Sequence, residues 1–333
     1  MRVPYPEVFA VLQRILLRAG LTPERADLCA RLFADTSRDG VYSHGLNRFP
    51  RFMEQVTKGV VNLAAEPVRV KTFGALERWD GQRGPGNLNA HAAMARAIML
   101  CREHGLGAVA LANTNHWMRG GSYGWQAAEA GVIGICWTNT MANLPPWGTR
   151  DPRVGNNPLV LAVPHPSSPV VLDMAMSQFS FGALESYRLR GETLPVPGGF
   201  DKEGKLTQDP AAIEASGQAL PIGYWKGSGL ALLLDMIGAL LAGGLATHQI
   251  TRDVILESGL SQIFVAFDLP SIDAEGTRHA IVEGILASLG PSPAAPPAAP
   301  MRHPGARVLQ IRKENLAQGI PVAPHVWTQI QAL

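Results

Sequence analysis

Short apolar segments alternate with helical patterns between residues 67 and 289, and this alternation limits the possible folds more than any other property of the sequence. Strands that alternate with helices are typical of parallel, doubly wound sheets that bind dinucleotides. Such sheets carry a Gly-x-Gly-x-x-Gly turn between a strand and the following helix. No predicted strand is followed by this turn, and the nearest approach is Gly120-Gly121 with Gly124. The pattern therefore predicts an α/β chain and leaves the type of sheet open.

Hydrophobic periodicity and the positions of glycine and proline predict the individual elements. Helices are expected at 7–19, 22–38, 48–58, 88–103, 123–130, 183–189, 226–245 and 277–289, and in the tail from residue 307 onward. Strands are expected at 68–72, 75–80, 107–113, 133–138, 159–163, 170–173 and 261–269, with a polar loop at 198–209. We group these elements into an N-terminal helical domain (1–66), an α/β cofactor-binding domain (67–289) and a C-terminal part (290–333). The C-terminal part combines a Pro/Ala-rich excursion at 290–300 with a helix expected to pack on the N-terminal domain.

Composition excludes several classes of function. The chain has 29 basic and 27 acidic residues, and a net charge of +2 is too small to indicate binding to nucleic acid or to an anionic membrane. Three widely spaced cysteines predict reduced thiols in a cytoplasmic protein, rather than disulfides or a zinc site. The start of the chain has no apolar core of secretory length. The apolar stretch at 229–246 contains Asp235, and we expect it to form a buried helix rather than a membrane span.

The segment VYSHGLNRFPR, residues 41–51, concentrates side chains that can carry acid–base chemistry and bind anions. These are Ser43, His44, Asn47, Arg48 and Arg51. Pro50 is compatible only with the start of a helix, so we expect a helix to begin near Asn47 with that residue as its cap. Arg48 could then bind a carboxylate while His44 passes a proton to an adjacent oxygen. The spacing is equally compatible with an ordinary helix start that carries an exposed histidine and surface arginines.

The same segment resembles the Ser-His-Gly-x-x-Arg signature of the malate/L-lactate dehydrogenase type 2 family, whose members depend on NAD(P)H and do not use a Rossmann fold. The resemblance continues, in the same order, through motifs at 115–139, 145–148, 155–159, 173–177 and 220–236. It therefore extends over nearly the whole chain. It implies an α/β (α+β) fold in which a non-Rossmann NAD(P)-binding domain has a largely antiparallel sheet. A helical domain built from the N- and C-terminal segments would lie beside it.

The resemblance also implies an enzyme with a small-molecule substrate and no metal. His44 is expected to be the catalytic proton donor, and Ser43, Arg48 and His116 to bind the substrate. The expected reaction is hydride transfer from NADH to the C2 carbonyl of a 2-oxo acid, in particular a sugar acid. Another activity of the family, on malate, lactate, ureidoglycolate or a cyclic imine, is the first alternative, and a catalytically silent binding protein is the second. A homodimer is expected as well.

The residues expected to bind the cofactor lie in separate segments of the chain. They are Gly121, Pro169, Val170, Val171, Leu172, Asp173, Met174, Ala175, Trp225, Lys226, Gly305, Ala306 and Arg307. The amide of Gly121 is expected to contact a phosphate, Asp173 a ribose hydroxyl or the nicotinamide pocket, and Lys226 the pyrophosphate.

Two positions depart from the family pattern. Family members have an acidic residue shortly after a C-terminal Pro-Gly, whereas this chain has Arg307, which favours a 2′-phosphate. Arg307 thus weakens the preference for NADH over NADPH; we keep NADH as the expected cofactor, with NADPH as the alternative. Some members also place an acid just after the glycine that matches Gly182, to assist the histidine. This chain lacks it, which leaves Glu185 or Asp201 as substitutes.

Overall fold

The computed structural model describes residues 1–252, 257–272, 275–290 and 302–333. Beyond Gly290, the predicted Pro/Ala-rich excursion lies outside the described residues. The strands are β1 (Arg2–Val3), β2 (Val68–Phe73), β3 (Leu76–Asp80), β4 (Leu106–Asn115), β5 (Ile133–Thr138), β6 (Leu159–Val163), β7 (Val170–Met174), β8 (Gly199–Phe200), β9 (Leu206–Thr207), β10 (Ser258–Phe267) and β11 (Ile320–Pro321). The helices are α1 (Tyr5–Arg18), α2 (Pro23–Arg38), α3 (Phe49–Thr57), α4 (Gly86–His104), α5 (Gly121–Glu129), α6 (Phe181–Leu189), α7 (Pro210–Ser216), α8 (Trp225–Ala242), α9 (Thr247–Ile250), α10 (Glu275–Ser288), α11 (Ala306–Gln318) and α12 (Pro324–Gln331).

The largest sheet has seven strands in the order β2-β3-β4-β10-β5-β6-β7. Its pairs are antiparallel except β3 with β4, which are parallel and are connected through α4. The helix α5 connects β4 to β5, but β10 lies between these strands and is antiparallel to both. The insertion of this late strand explains how strands and helices can alternate along the chain without forming a parallel sheet. The prediction of a non-Rossmann α/β fold with a largely antiparallel sheet is confirmed.

Alternating residues of the central strands divide the sheet into two faces. Val109 and Phe264 belong to a core shared with α4 and α5, whereas Ala110 and Ile263 pack in a cluster that includes Ala242 of α8. The sheet is therefore covered by α4 and α5 on one side and by α8 on the other.

The helix α8 is less buried than the sequence predicted. Its outward face exposes large apolar side chains, namely Leu232, Leu233, Met236, Ile237 and Leu240. The prediction of a buried helix was therefore wrong for this face, because α8 is apolar on all sides and the sheet covers only one. Asp235 instead accepts hydrogen bonds from the Asn139 side chain at 2.8 Å and from the Thr247 amide at 2.9 Å. By length and composition alone, α8 could cross a membrane, and 28% of it is buried in the chain.

A separate hydrophobic core joins the two ends of the chain. Side chains of α1, α2 and α3 pack with Ile320, Val322 and Trp327 of the tail, and β1 pairs with β11. In the structure, the tail therefore packs on the N-terminal helices. Our division into domains at residues 66 and 289 remains an interpretation.

Most predicted elements are present, with shifted ends. The predicted loop at 198–209 contains the short hairpin of β8 and β9, and α7 follows it without having been predicted. The strand predicted at 261–269 begins and ends earlier, as β10.

Candidate active site

The candidate catalytic histidine lies in a double turn between α2 and α3. Two successive 3₁₀ turns, Tyr42–His44 and Leu46–Arg48, are joined by Gly45. A Cβ atom on Gly45 would lie 2.1 Å from Ser37 Oγ, so a larger residue does not fit there without displacing Ser37. The same hydroxyl accepts a hydrogen bond of 2.8 Å from the amide of Leu46. The turn is therefore pinned to the end of α2, which fixes the direction of the side chains that it carries.

The start of α3 differs from the prediction. Asn47 lies inside the second 3₁₀ turn, and α3 begins at Phe49 with no side-chain cap. The capping role predicted for Asn47 was wrong, because the continuous 3₁₀ turns leave no extended residue at which a cap could form. His44 and Arg48 nevertheless lie one after the other in these turns, as the sequence predicted.

Two histidines meet in this region. The rings of His44 and His116 stack with centroids 5.9 Å apart and planes inclined by 20°. His44 Nδ1 lies 2.9 Å from Ser43 Oγ, and His116 Nδ1 accepts a hydrogen bond of 3.0 Å from the amide of Met118. Because its Nδ1 is an acceptor, a neutral His116 carries its proton on Nε2.

The surroundings of both histidines favour the uncharged ring. Burial lowers the pKa of His44, and the charges of Arg48 and Arg119 lower it further, while Asp173 opposes them. Burial lowers the pKa of His116 to well below 6.5, and the charges of Arg48 and His44 act in the same direction. His44 thus takes up a proton more readily once the charge of Arg48 is neutralised by an anion.

A cavity of about 580 Å³ opens beside these rings. Ser43, His44, Arg48, Arg51 and His116 line it. Within the described ranges, neither the Arg48 nor the Arg51 side chain has a hydrogen-bond or ion-pair partner. Burial and the charge of Arg51 lower the pKa of Arg48, and Glu257 opposes them. An arginine without a partner in a cavity is suited to bind an anion.

Other residues that line this cavity were not assigned from the sequence. They are Thr140, Met141, Asn143, Asn156, Ser180, Phe181, Gly182, Arg188, Glu214 and Glu257. Asn156 lies in the motif at 155–159. The two asparagines that follow the glycine of this motif were the signal by which Asn156 could have been identified. Glu257 has no such signal, because it reaches the cavity only through the position of β10 in the sheet.

Of the two substitute acids, Glu185 lines the cavity, whereas Asp201 does not. The Asp201 side chain accepts the amide of Lys205 at 2.8 Å within the β8–β9 hairpin. The suggestion that Asp201 assists the histidine was therefore wrong.

A second cavity, of about 200 Å³, adjoins the first at His44, His116 and Asn156. Asp173 and Ala175 of the predicted cofactor segment line it, so the fold brings both close to the turn that carries His44.

The role predicted for the amide of Gly121 was wrong. It donates a hydrogen bond of 2.7 Å to Asp173 Oδ2, and is therefore not free to bind a phosphate. The Asp173 carboxylate occupies the anion position at the N-terminus of α5, where unpaired amides attract negative charge.

The remaining predicted cofactor residues follow β7 from end to end. At its start, a Cβ atom on Gly305 would lie 3.0 Å from Pro169 O, and the amide of Val171 donates to Pro304 O at 3.1 Å. Ala306 and Arg307 begin α11 at the same end, with Arg307 exposed. Beyond the other end, the amide of Ile222 donates to Met176 O at 2.8 Å, just before α8 begins.

Trp225 and Lys226 form the first turn of α8 and are both exposed, and they line neither cavity at His44. Val170, Leu172 and Met174 are half-buried along β7 between these ends. At about 3.3 Å per residue, β7 spans roughly 16 Å, so the predicted cofactor residues form an elongated row rather than one pocket.

Comparisons with known proteins identify related chains. The family model described as malate/L-lactate dehydrogenase matches residues 3–331. A curated 2,3-diketo-L-gulonate reductase from Citrobacter koseri is 49% identical over 334 residues, which cover 100% of both chains. The fold is similar to that of malate dehydrogenase from Entamoeba histolytica (TM-score 0.93, 22% identity), with 100% of this chain and 96% of that chain covered. It is also similar to that of sulfolactate dehydrogenase from Methanocaldococcus jannaschii (TM-score 0.90, 26% identity), with 99% and 95% covered.

Proposed function

The chain belongs to the malate/L-lactate dehydrogenase family of oxidoreductases, and from this premise we propose that it reduces 2,3-diketo-L-gulonate to 3-dehydro-L-gulonate with NADH. One observation of the site supports this proposal above the others. Arg48, which has no partner among the described residues, lines the same cavity as His44 and His116. An anion-binding group beside a proton donor suits the reduction of a 2-oxo acid.

In the proposed mechanism, Arg48 binds the substrate carboxylate through two parallel hydrogen bonds. The C2 carbonyl, one bond away, then lies beside the stacked histidines. Binding of the carboxylate neutralises the charge of Arg48 and so favours the protonated ring of His44. A reduced nicotinamide held beside these residues would supply the hydride for C2. His44 donates its proton to the oxygen that becomes the hydroxyl, and the Nε2–H of His116 orients that oxygen.

Ser43 has a positioning role in this mechanism. Its hydroxyl is 2.9 Å from Nδ1 of His44, so a hydrogen bond there fixes the ring and leaves Nε2 directed away from the backbone of the turn. The catalytic nitrogen is therefore Nε2.

We place the cofactor along β7. Asp173 and Ala175 line the cavity at His44 and would hold the nicotinamide end. Gly305 to Arg307 lie at the opposite end of the strand and would hold the adenosine end. Trp225 and Lys226 follow the segment paired beyond the end of β7, and the exposed ammonium of Lys226, 6.0 Å from the centre of the Trp225 ring, is the group that we propose for the pyrophosphate. We propose NADH as the nucleotide and NADPH as the alternative that Arg307 would favour.

The exposed face of α8 supports a homodimer. Contiguous apolar surface on a folded chain marks an interaction site, and α8 carries several large apolar side chains side by side. We propose that a second copy covers this face, rather than a membrane. The three cysteines are buried and unpaired, which is consistent with a cytoplasmic location.

The proposed reaction is tested by a panel of substrates with NADH and with NADPH. The panel contains 2,3-diketo-L-gulonate, oxaloacetate, pyruvate, oxalurate (the 2-oxo acid that corresponds to ureidoglycolate) and a cyclic imine carboxylate. We expect the highest kcat/KM for 2,3-diketo-L-gulonate with NADH, by at least about tenfold over the others. A higher value for another acid would assign a different activity of the family. NADH binding without turnover of any substrate would favour a binding protein.

A further inference from the structure

Two oppositely charged side chains, Arg48 and Glu257, line the larger cavity, and the proposed mechanism gives a role only to Arg48. Arg48 is half-buried, and Glu257 is buried, with 9% of its surface exposed. Within the described part of the chain, Glu257 has one hydrogen-bond partner, the Met141 amide, at 3.3 Å from its Oε1. Both side chains line this cavity, and the negative charge of Glu257 opposes the lowering of the Arg48 pKa by burial.

The other charged residues of this cavity are either paired or exposed. Arg188 and Glu214 form an ion pair of 2.5 Å between α6 and α7. Arg51 and Glu185 are exposed, so water screens both. The buried part of the cavity therefore offers one guanidinium and one carboxylate to a ligand.

We propose that Glu257 is a specificity-determining residue that restricts the substrate to a monoanionic, hydroxylated 2-oxo acid. This inference rests on the proposed function of the site. A first carboxylate on the ligand pairs with Arg48. A second carboxylate would lie in the same cavity as Glu257 with no second buried guanidinium to neutralise it, and like charges in a partly desolvated site repel strongly. A hydroxyl at that position can instead donate a hydrogen bond to Glu257.

The proposal is tested by the binding of two stable ligands to the full-length protein, measured by calorimetry. L-Gulonate carries one carboxylate and several hydroxyls, whereas malate carries two carboxylates. The wild-type protein is expected to bind gulonate at least about tenfold more tightly than malate. Glu257→Gln keeps the size of the side chain and an acceptor for Met141 while removing the charge. It should shift the ratio of the two affinities toward malate by at least about tenfold.

Glu185→Gln is the matched control, because it removes the same charge from the exposed part of the cavity. It should change the ratio by less than about threefold, since solvent screens that position. An unchanged ratio in Glu257→Gln would overturn the proposal. Equal binding of gulonate and malate to the wild-type protein would do so even if the variant failed to fold.

The proposed reaction can fail separately from this inference. If the wild-type protein prefers gulonate but reduces no 2-oxo acid, the proposed role of Glu257 is supported and the proposed reaction is excluded. If the protein reduces 2,3-diketo-L-gulonate but binds gulonate and malate equally, the proposed reaction is supported and the proposed role of Glu257 is excluded.

Discussion

At the residue scale, Arg48 contributes to both substrate binding and proton transfer in the proposed mechanism. Its guanidinium, which has no partner among the described residues, binds the substrate in the proposed mechanism, and its charge lowers the pKa of the neighbouring His44. Binding and proton transfer are therefore linked through one side chain, because the ligand that neutralises Arg48 also promotes protonation of His44.

Replacing Arg48 by lysine should raise KM by at least about tenfold, since an ammonium group cannot form the two parallel hydrogen bonds of a guanidinium. Arg48→Ala should raise it further. The measurement is steady-state kinetics with 2,3-diketo-L-gulonate. Arg14→Lys is the control, because Arg14 is exposed on α1 and lines neither cavity at His44. An Arg48→Lys variant with wild-type KM would remove Arg48 from the carboxylate site.

The direction of the His44 pKa shift predicts how reduction depends on pH. The donor must be protonated, and burial with Arg48 and Arg119 lowers its pKa below 6.5. In the free enzyme, kcat/KM for reduction should therefore be highest at acidic pH and fall as the pH rises through this lowered pKa. Oxidation of the alcohol, which needs the neutral ring, should show the opposite dependence. A reduction profile that rises between pH 5 and about 7 would contradict this assignment.

The sequence identified residues that the fold brings close to His44, but it did not predict all of their hydrogen bonds. His44, Arg48, His116 and Asp173 were predicted from the motifs, and the structure places them around adjoining cavities. The hydrogen bond that engages the amide of Gly121 could not be predicted, because it depends on the side chain of a residue on β7.

At the scale of elements, Asp39 connects α2, the segment before α5, and α11. It is 3% exposed at the end of α2 and accepts hydrogen bonds from Arg38, from Arg119 before α5 and from Arg312 of α11. Burial alone would raise the pKa of Asp39, but the bond from Arg312 and the charges of Arg119 and Arg38 lower it to about 2.

Asp39→Asn should lower the free energy of unfolding by about 3–5 kcal/mol, because it leaves the buried guanidinium of Arg119 without its carboxylate partner. In the wild-type protein, this contribution is fully present above the unfolded pKa, near 3.8, and is lost as the pH falls toward 2. Denaturant titration at neutral pH measures the change. Asp27→Asn, which removes an exposed pair with Arg31, should cost less than about 1 kcal/mol. Equal losses in the two variants would show that Asp39 does not join these elements.

The elements themselves were predictable where the pattern was local. Thr22 caps α2 as its Thr-Pro pair indicates, and Gly105 ends α4 in the left-handed conformation. The pairing of β10 between β4 and β5 was not predictable from periodicity, since it joins segments more than 100 residues apart. This long-range pairing is also what places Glu257 at the cavity.

At the scale of the whole molecule, the uncovered face of α8 supports association of two chains. Leu240 has 75% of its surface exposed in the single chain, and Leu233 has 54%. The sequence indicated that α8 was apolar but could not show which face the sheet would leave free.

Leu240→Glu should convert the proposed dimer to a monomer at micromolar concentration, since burying a charge in an apolar interface without a partner is unfavourable. Sedimentation equilibrium measures the mass. Leu17→Glu, on the exposed part of α1, is the control and should leave the mass unchanged. A dimeric Leu240→Glu variant, or a monomeric wild-type protein, would exclude α8 from the interface.

The family predicted from the motifs is confirmed by the match over residues 3–331, and the role of His44 remains the central prediction. It is tested most directly by the kcat of His44→Asn for the reduction of 2,3-diketo-L-gulonate, with NADH binding measured in parallel by fluorescence. Removal of a general acid should lower kcat by at least about 100-fold while NADH binding is retained. A variant that keeps more than about a tenth of the wild-type kcat would show that another group, first of all His116, donates the proton.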